Sequence, residues 1–344
     1  MSSGRQWHLN YLRAIDAHAI SQGEGVLVAV PDSGVEQHPD LSENLVPGTD
    51  VIPGGSGNGM NDQDGHGTGM AGLIAAYSRD STYGALGIAP KAKVLPIYVS
   101  PAHQEGTSQA LAEGVDYAVS RHAQVISISA TGGADTQLQR AIRSAINANV
   151  VVVAAAGNIS KSPFVGYPAS EPGVIAVGGS DQRGNHAAIS ARGPEIDVVA
   201  PAVDIYSTGL NGGYRVGTGT SDATAIVAGA AALIRSKYPH LPAAEVAHRL
   251  TATAIDKGPP GRDDEYGYGV IDLVAALTAD VPPIGFESTG VTAPASTATG
   301  PSGDDGGGTA RGLATLGVLL AAGGGYLVWR RRRRAGDPPP RISR

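Results

Sequence analysis

The sequence predicts an α/β fold in which a mostly parallel sheet lies between layers of helices. Two observations carry this. From Trp7 to about Leu277, short apolar β-branched runs alternate with alanine-rich stretches of helical spacing. Strands that alternate with helices build parallel sheets covered on both faces. The composition agrees, with 42% of the 344 residues hydrophobic and 16% charged. That is enough apolar surface for a large core and too little charge for a disordered chain.

The elements follow in order. Val26–Val30 is a continuous apolar run, as a strand buried on both faces requires, and Met70–Tyr77 is the first alanine-rich helix. Val94–Val99, Val125–Ser129, Val150–Ala155 and Val174–Val177 repeat the strand pattern. Thr107–Arg121 and Asp135–Ala148 are the helices set among them. Three further helices are expected at Ser221–Lys237, Leu241–Thr251 and Asp272–Leu277. These elements make up a domain spanning 1–280. Ligands of such sheets bind beyond the carboxyl ends of the strands. Asp32 is expected just after one strand, and His66 and Ser221 at the starts of helices, all on that rim.

The character of the chain then changes. Residues 281–310 are rich in Pro, Gly, Ser and Thr and read as a linker. Gly312–Trp329 holds no charge and is followed at once by Arg330–Arg334. At 1.5 Å per residue such a stretch spans roughly 27 Å, enough to cross a bilayer core. We therefore expect a transmembrane helix over 311–329 and a basic cytoplasmic tail over 330–344, with the arginines acting as a stop-transfer signal. The protein would then be a single-pass membrane protein with its main domain outside the cell. That orientation calls for an export signal, and Met1–Asn10 is polar. The simplest expectation is a start upstream of Met1 or a removed signal; the alternative is a tail anchor with a cytoplasmic domain.

Other classes are disfavoured. The overall charge is −6, and the last fifteen residues hold seven arginines against one aspartate, so the rest is more acidic still. An acidic body does not suit nucleic acid. There is no cysteine, which removes a disulfide framework, a thiolate metal site and a cysteine nucleophile. Gly217-x-Gly219-Thr-Ser lacks the lysine of a phosphate loop, and no His/Asp/Glu cluster has zinc spacing.

Three segments carry chemistry together: Val-Ala-Val-Pro-Asp-Ser-Gly around Asp32, Asp-Gly-His-Gly-Thr around His66, and Gly-Thr-Gly-Thr-Ser-Asp-Ala-Thr around Ser221. Serine is a poor nucleophile until an imidazole takes its proton, and a carboxylate must fix that imidazole's tautomer. An Asp before Gly is usually only a turn residue; the other two segments overturn that reading here. Gly65 and Gly67 let the backbone approach His66 closely. Ser221 at a helix start has free N–H groups and the positive dipole end beside it.

These segments resemble those of the subtilisin-like serine proteases, over about Gln6 to Leu277. Val28-Ala-Val-Pro-Asp-Ser-Gly-Val with His38-Pro-Asp-Leu resembles the family's aspartate motif, and Gly65-His-Gly-Thr its histidine motif. Gly219-Thr-Ser-Asp-Ala-Thr with Val227-Ala-Gly resembles the serine motif. Ala154-Ala-Ala-Gly-Asn158 matches the segment in which the family places its oxyanion asparagine. The resemblance implies the subtilisin-like three-layer fold and a serine endopeptidase acting on proteins or peptides. Its catalytic residues would be Asp32, His66, Ser221 and Asn158. It implies a substrate cleft formed by Ser129, Ala130 and Gly132 on one side and Ala156 and Gly157 on the other, with an extended peptide added as a strand. Gly166 would close the far side. Because Ile159 follows Asn158 with no charge close by in the sequence, the pocket is expected to be apolar and tolerant. No metal or other cofactor is expected: Asp40 matches a family calcium ligand, but Ser78-Arg-Asp-Ser-Thr-Tyr lacks the accompanying asparagine-rich loop.

The chain departs from the family pattern at three places. Gly69 stands where a second histidine is common, and Ala225 where proline is common. Asp222 puts a carboxylate directly after the nucleophile, close to the developing oxyanion. The layout of domain, linker, single span and basic tail, together with Gln6-Trp-His-Leu, is similar to the mycosins, the membrane-anchored proteases of type VII secretion systems. Those proteins typically carry disulfides and this chain has none. The resemblance implies secretion-system membrane proteins as partners. The alternative is a scaffold of this fold that stabilises a secretion complex, with proteolysis secondary.

Overall fold

The structure is a computed structural model that describes residues 5–53, 56–78, 84–101, 104 and 106–285. The chain begins with two short helices, α1 (Trp7–Tyr11) and α2 (Ala14–His18). It continues through β1 (Leu27–Asp32), β2 (Thr49–Asp50), α3 (His66–Ala75), β3 (Lys93–Tyr98), α4 (Ser108–Ser120), β4 (Val125–Ile128) and α5 (Thr136–Asn147). Then come β5 (Val151–Ala155), β6 (Ile175–Ser180), β7 (Val198–Pro201), β8 (Ile205–Thr208) and β9 (Tyr214–Gly217). The last elements are α6 (Thr220–Lys237), α7 (Ala243–Ala252) and α8 (Leu273–Thr278).

Seven strands form one sheet in the order β2-β3-β1-β4-β5-β6-β7, and every pair in it is parallel. Side chains alternate between the two faces. Val28, Val94, Val125, Val153 and Val177 join a core with α3 and α6. Ala29, Leu95, Ile126, Val152 and Ala176 join a second core with α4 and α5. This is a three-layer α/β architecture, as the sequence implies. Burial on both faces is why the strands read as continuous apolar runs.

Helix α6 runs through the first core with nearly its whole surface buried. Its run of small residues, Ala228 to Ala232, lets it lie close to its neighbours. Local capping fixes the other layer: Thr107 Oγ1 accepts from Ala110 N at 3.1 Å, and Asp135 Oδ1 accepts from Gln137 N at 2.8 Å.

Several elements differ from expectation. Helix α3 begins at His66, earlier than Met70, because Gly65 takes φ 85° and turns the chain straight into the helix. Strand β7 and the antiparallel β8–β9 hairpin carry no long apolar run and escape a periodicity reading. Asp32 is the last residue of β1 rather than the residue after it. Among the described residues no helix is long and apolar enough to cross a membrane. The expected span over 311–329, the basic tail and all but the first residues of the linker lie outside the described residues.

Candidate active site

Strand β1 ends at Asp32, and α3 begins at His66, so both face the same rim of the sheet. His66 Nδ1 lies 2.8 Å from Asp32 Oδ1. Asp32 is 8% exposed and also accepts from Ser33 N at 2.7 Å. Burial alone would push its carboxyl up, but the facing imidazole and these hydrogen bonds outweigh burial and hold it below the ordinary range. Asp32 in turn raises His66 to about 9, against a smaller lowering by burial. Ser221, in the first turn of α6, lines the same cleft as Asp32 and His66, a cavity of about 400 Å³. First-turn N–H groups have no acceptor within their helix, so the Ser221 end of α6 offers donors to an anion.

Asn158 follows β5 and lines the same cleft. Its Oδ1 accepts from Thr220 N at 3.1 Å and Thr220 Oγ1 at 3.2 Å. That leaves Nδ2 on the Ser221 side: a Cβ placed on Gly219 would lie 2.9 Å from Ser221 Oγ and 3.4 Å from Asn158 Nδ2.

The expected cleft residues are brought together, with changed roles. Ser129, Ala130 and Gly132 line the catalytic cavity. Ala156 and Gly166 line an adjoining cavity of about 670 Å³, and Gly157 borders both. Four of their N–H groups are already used within the protein. Gly132 donates to Tyr167 O and Ala156 to Val177 O, while Gly157 donates to Thr220 Oγ1 and Gly166 to Ala156 O. These residues wall the cleft, with those four amides engaged inside the protein. Ser129 Oγ donates to the Ser221 carbonyl at 3.2 Å and so braces the catalytic helix. Ile159 turns outward, 50% exposed, and Lys161 lines both cavities. The expected uncharged pocket is corrected by that lysine, three residues beyond Asn158.

Asp40 is buried, and its Oδ2 accepts from Ala85 N at 2.8 Å and Tyr214 Oη at 3.0 Å. No group of three or more His, Asp or Glu among the described residues could hold a metal ion.

Sequence reasoning missed Asp62. Its Oδ1 accepts from Ser33 Oγ, Asp64 N and Gly65 N, and its Oδ2 from Thr68 N and Thr68 Oγ1, all at 2.6–3.0 Å. Ser33 Oγ also accepts from Gly67 N at 3.0 Å. The signal was present: an aspartate whose side chain reaches N–H groups two and three residues on makes a local turn, here just ahead of His66. Gly67 is needed for the same packing, since a Cβ there would lie 2.0 Å from Gly34 O.

A buried carboxylate that orients an imidazole, beside a serine at a helix N-terminus, is the arrangement of a serine hydrolase. Residues 23–269 match the subtilase family, Peptidase S8, and the chain belongs to that family as a subtilisin-like serine protease. It is 41% identical over 260 residues to subtilisin DY of Bacillus licheniformis, covering 74% of this chain and 92% of that protein. Subtilisin E of Bacillus subtilis is 40% identical over 259 residues, covering 74% of this chain and 66% of that protein. Among solved structures, MycP1 with its N-terminal propeptide removed gives a TM-score of 0.72 at 35% identity, covering 80% of this chain and 98% of that one. MycP1 from Mycobacterium smegmatis gives 0.73 at 32% identity, covering 82% and 86%. A further MycP1 structure, 34% identical, is of a serine protease described as an essential component of the type VII (ESX-1) secretion system.

Proposed function

We propose that this protease is an endopeptidase that cleaves peptide bonds through an acyl-enzyme on Ser221. The observation that carries the reading is the 2.8 Å contact between His66 Nδ1 and Asp32 Oδ1, in the cleft that Ser221 lines. Ser221 Oγ attacks the scissile carbonyl while His66 Nε2 takes its proton, and Asp32 stabilises the imidazolium. Asn158 Nδ2 and the Ser221 N–H hold the oxyanion. His66 then gives the proton to the departing amine, and water repeats the sequence on the ester. No metal or other cofactor takes part in these steps. An internally quenched peptide tests the reading: cleavage by the full chain and none by Ser221→Ala supports it, and equal cleavage by both overturns it.

The same reading places the peptidase domain, residues 1–280, outside the cell. A linker over 281–310 would join it to a membrane-crossing segment over 311–329 and a cytoplasmic tail over 330–344. The uncharged stretch Gly312–Trp329 ahead of five consecutive arginines supports this. Similarity to MycP1 supports work alongside type VII secretion membrane proteins. Alkaline carbonate extraction of cell membranes tests the anchor. Retention of the full chain, with release of a chain ending at Thr309, is the expected result; release of both contradicts it.

A further inference from the structure

Asp222 follows Ser221 in α6 and is 1% exposed. A carboxylate there loses its water and sets a negative charge close to where the substrate oxygen becomes an anion. Arg215, half-buried on β9, approaches from the hairpin with Nη1 3.6 Å from Asp222 Oδ1. This is ion-pair range without a hydrogen bond, and neither atom has a hydrogen-bond partner among the described residues.

Two glycines make the room. A Cβ on Gly69 of α3 would lie 2.4 Å from Arg215 Nη1 and 2.8 Å from its Cδ. A Cβ on Gly217 would lie 2.6 Å from Arg215 Nη2 and 2.5 Å from Asp222 Oδ1. Gly69 and Asp222, two departures from the family pattern, therefore belong to one unit. The space left open on α3 is filled by a guanidinium from β9, which answers the carboxylate of α6.

The charged groups around Asp222 are few. Arg215 faces it from β9 and His66 from α3, with Asp32 beyond His66 on β1. Helix α6 carries no other charged side chain before Arg235. Both members of the pair act on the imidazole, Arg215 downward and Asp222 upward, so the unit lies within electrostatic reach of the catalytic base.

We propose that Arg215 is a positioning residue for proteolysis: seated over Gly69, it compensates the charge of Asp222, so that an acidic residue beside the nucleophile does not oppose the oxyanion. This rests on Ser221 being the nucleophile. Removing Arg215 leaves Asp222 two options. It takes up a proton at acid pH and no longer opposes the oxyanion, or stays ionised at alkaline pH, where the oxyanion is opposed.

The test is the pH profile of kcat on a peptide substrate for the full chain and for Arg215→Met, Arg215→Lys and Arg215→Met/Asp222→Asn. Active sites are counted by fluorophosphonate titration. Arg215→Met should lose about tenfold in kcat on the alkaline plateau, where His66 is neutral and Asp222 ionised, the scale of one partly buried charge near a reacting group. Its acid limb should move up, because Arg215 lowers His66. Arg215→Lys keeps the charge and should stay within about threefold of the parent. The double variant should lose the alkaline fall. An Arg215→Met profile that matches the parent, or a double variant as slow as Arg215→Met, overturns the proposal. So does a double variant that fails to fold, because no charge is then left to compensate. A parent chain that takes no label at all instead overturns the Ser221 reading.

Discussion

Ser33 Oγ donates to Asp62 Oδ1 at 2.9 Å, and this contact ties the end of β1 to the loop that enters α3. Asp32 precedes the first residue, and His66 follows the second by four positions. The geometry of the catalytic pair is thus set by a contact between their chain neighbours. Asp62→Ala removes an acceptor from five donors, several of them buried. It should cost at least about 3 kcal/mol of stability and lower kcat in the fraction that folds. Asp62→Asn should fall between the two. Thermal unfolding with kcat per titrated site checks both; a variant with parental stability and rate contradicts the tie.

Asn158 should matter to rate more than to substrate affinity. A donor aimed at an oxyanion acts in the transition state, and its loss costs about 10²–10³-fold in kcat. Asn158→Leu should show that loss with KM little changed. A fall in affinity with kcat intact would assign Asn158 to substrate binding instead. Thr220 loses its acceptor in this variant, so unfolding temperature must be measured alongside.

The pH dependence of kcat/KM follows from His66. Asp32 raises it to about 9, and the imidazole must be neutral to take the serine proton. Activity should therefore rise through the alkaline range, with its acid limb above the ordinary imidazole value of about 6.5. Asp222 adds to the upward pull, so Asp222→Asn should move the limb to lower pH. An acid limb at or below the ordinary value, or one that ignores Asp222→Asn, contradicts this.

His8 governs a different property. It is 1% exposed, neither ring nitrogen has a partner among the described residues, and burial lowers it to about 3. The folded state thus binds this proton less well than the unfolded chain, whose histidine titrates near 6.5. Stability should fall as pH drops from there towards 3, by up to about 1.4 kcal/mol per unit. His8→Leu should remove that part of the slope. An unchanged slope would show that other groups carry the acid sensitivity.

Five strands of the sheet, β1 and β3 to β6, were legible because they are continuous apolar runs buried on both faces, and the six longer helices because they are alanine-rich stretches of helical spacing. The rim was legible for a different reason: Asp32, His66, Ser221 and Asn158 each sit in a short segment of marked composition. What escaped reading is what depends on packing between distant segments. Arg215 and Asp222 meet only because β9 folds back beside α6, with Gly69 of α3 opening the space. The amides of Gly132 and Gly157 are engaged by Tyr167 O and Thr220 Oγ1, contacts between segments far apart in the sequence. Lys161 sits three residues from Asn158, yet only the folded loop turns it into the cleft.

Ser221 is assigned as the nucleophile of a working triad. A fluorophosphonate probe reacted with the folded full chain, followed by peptide mapping, tests it most directly. One adduct per chain on Ser221, none in Ser221→Ala and greatly slowed labelling in His66→Ala are expected. A folded chain that takes no label, or takes it on another residue, would rule out Ser221 as the nucleophile.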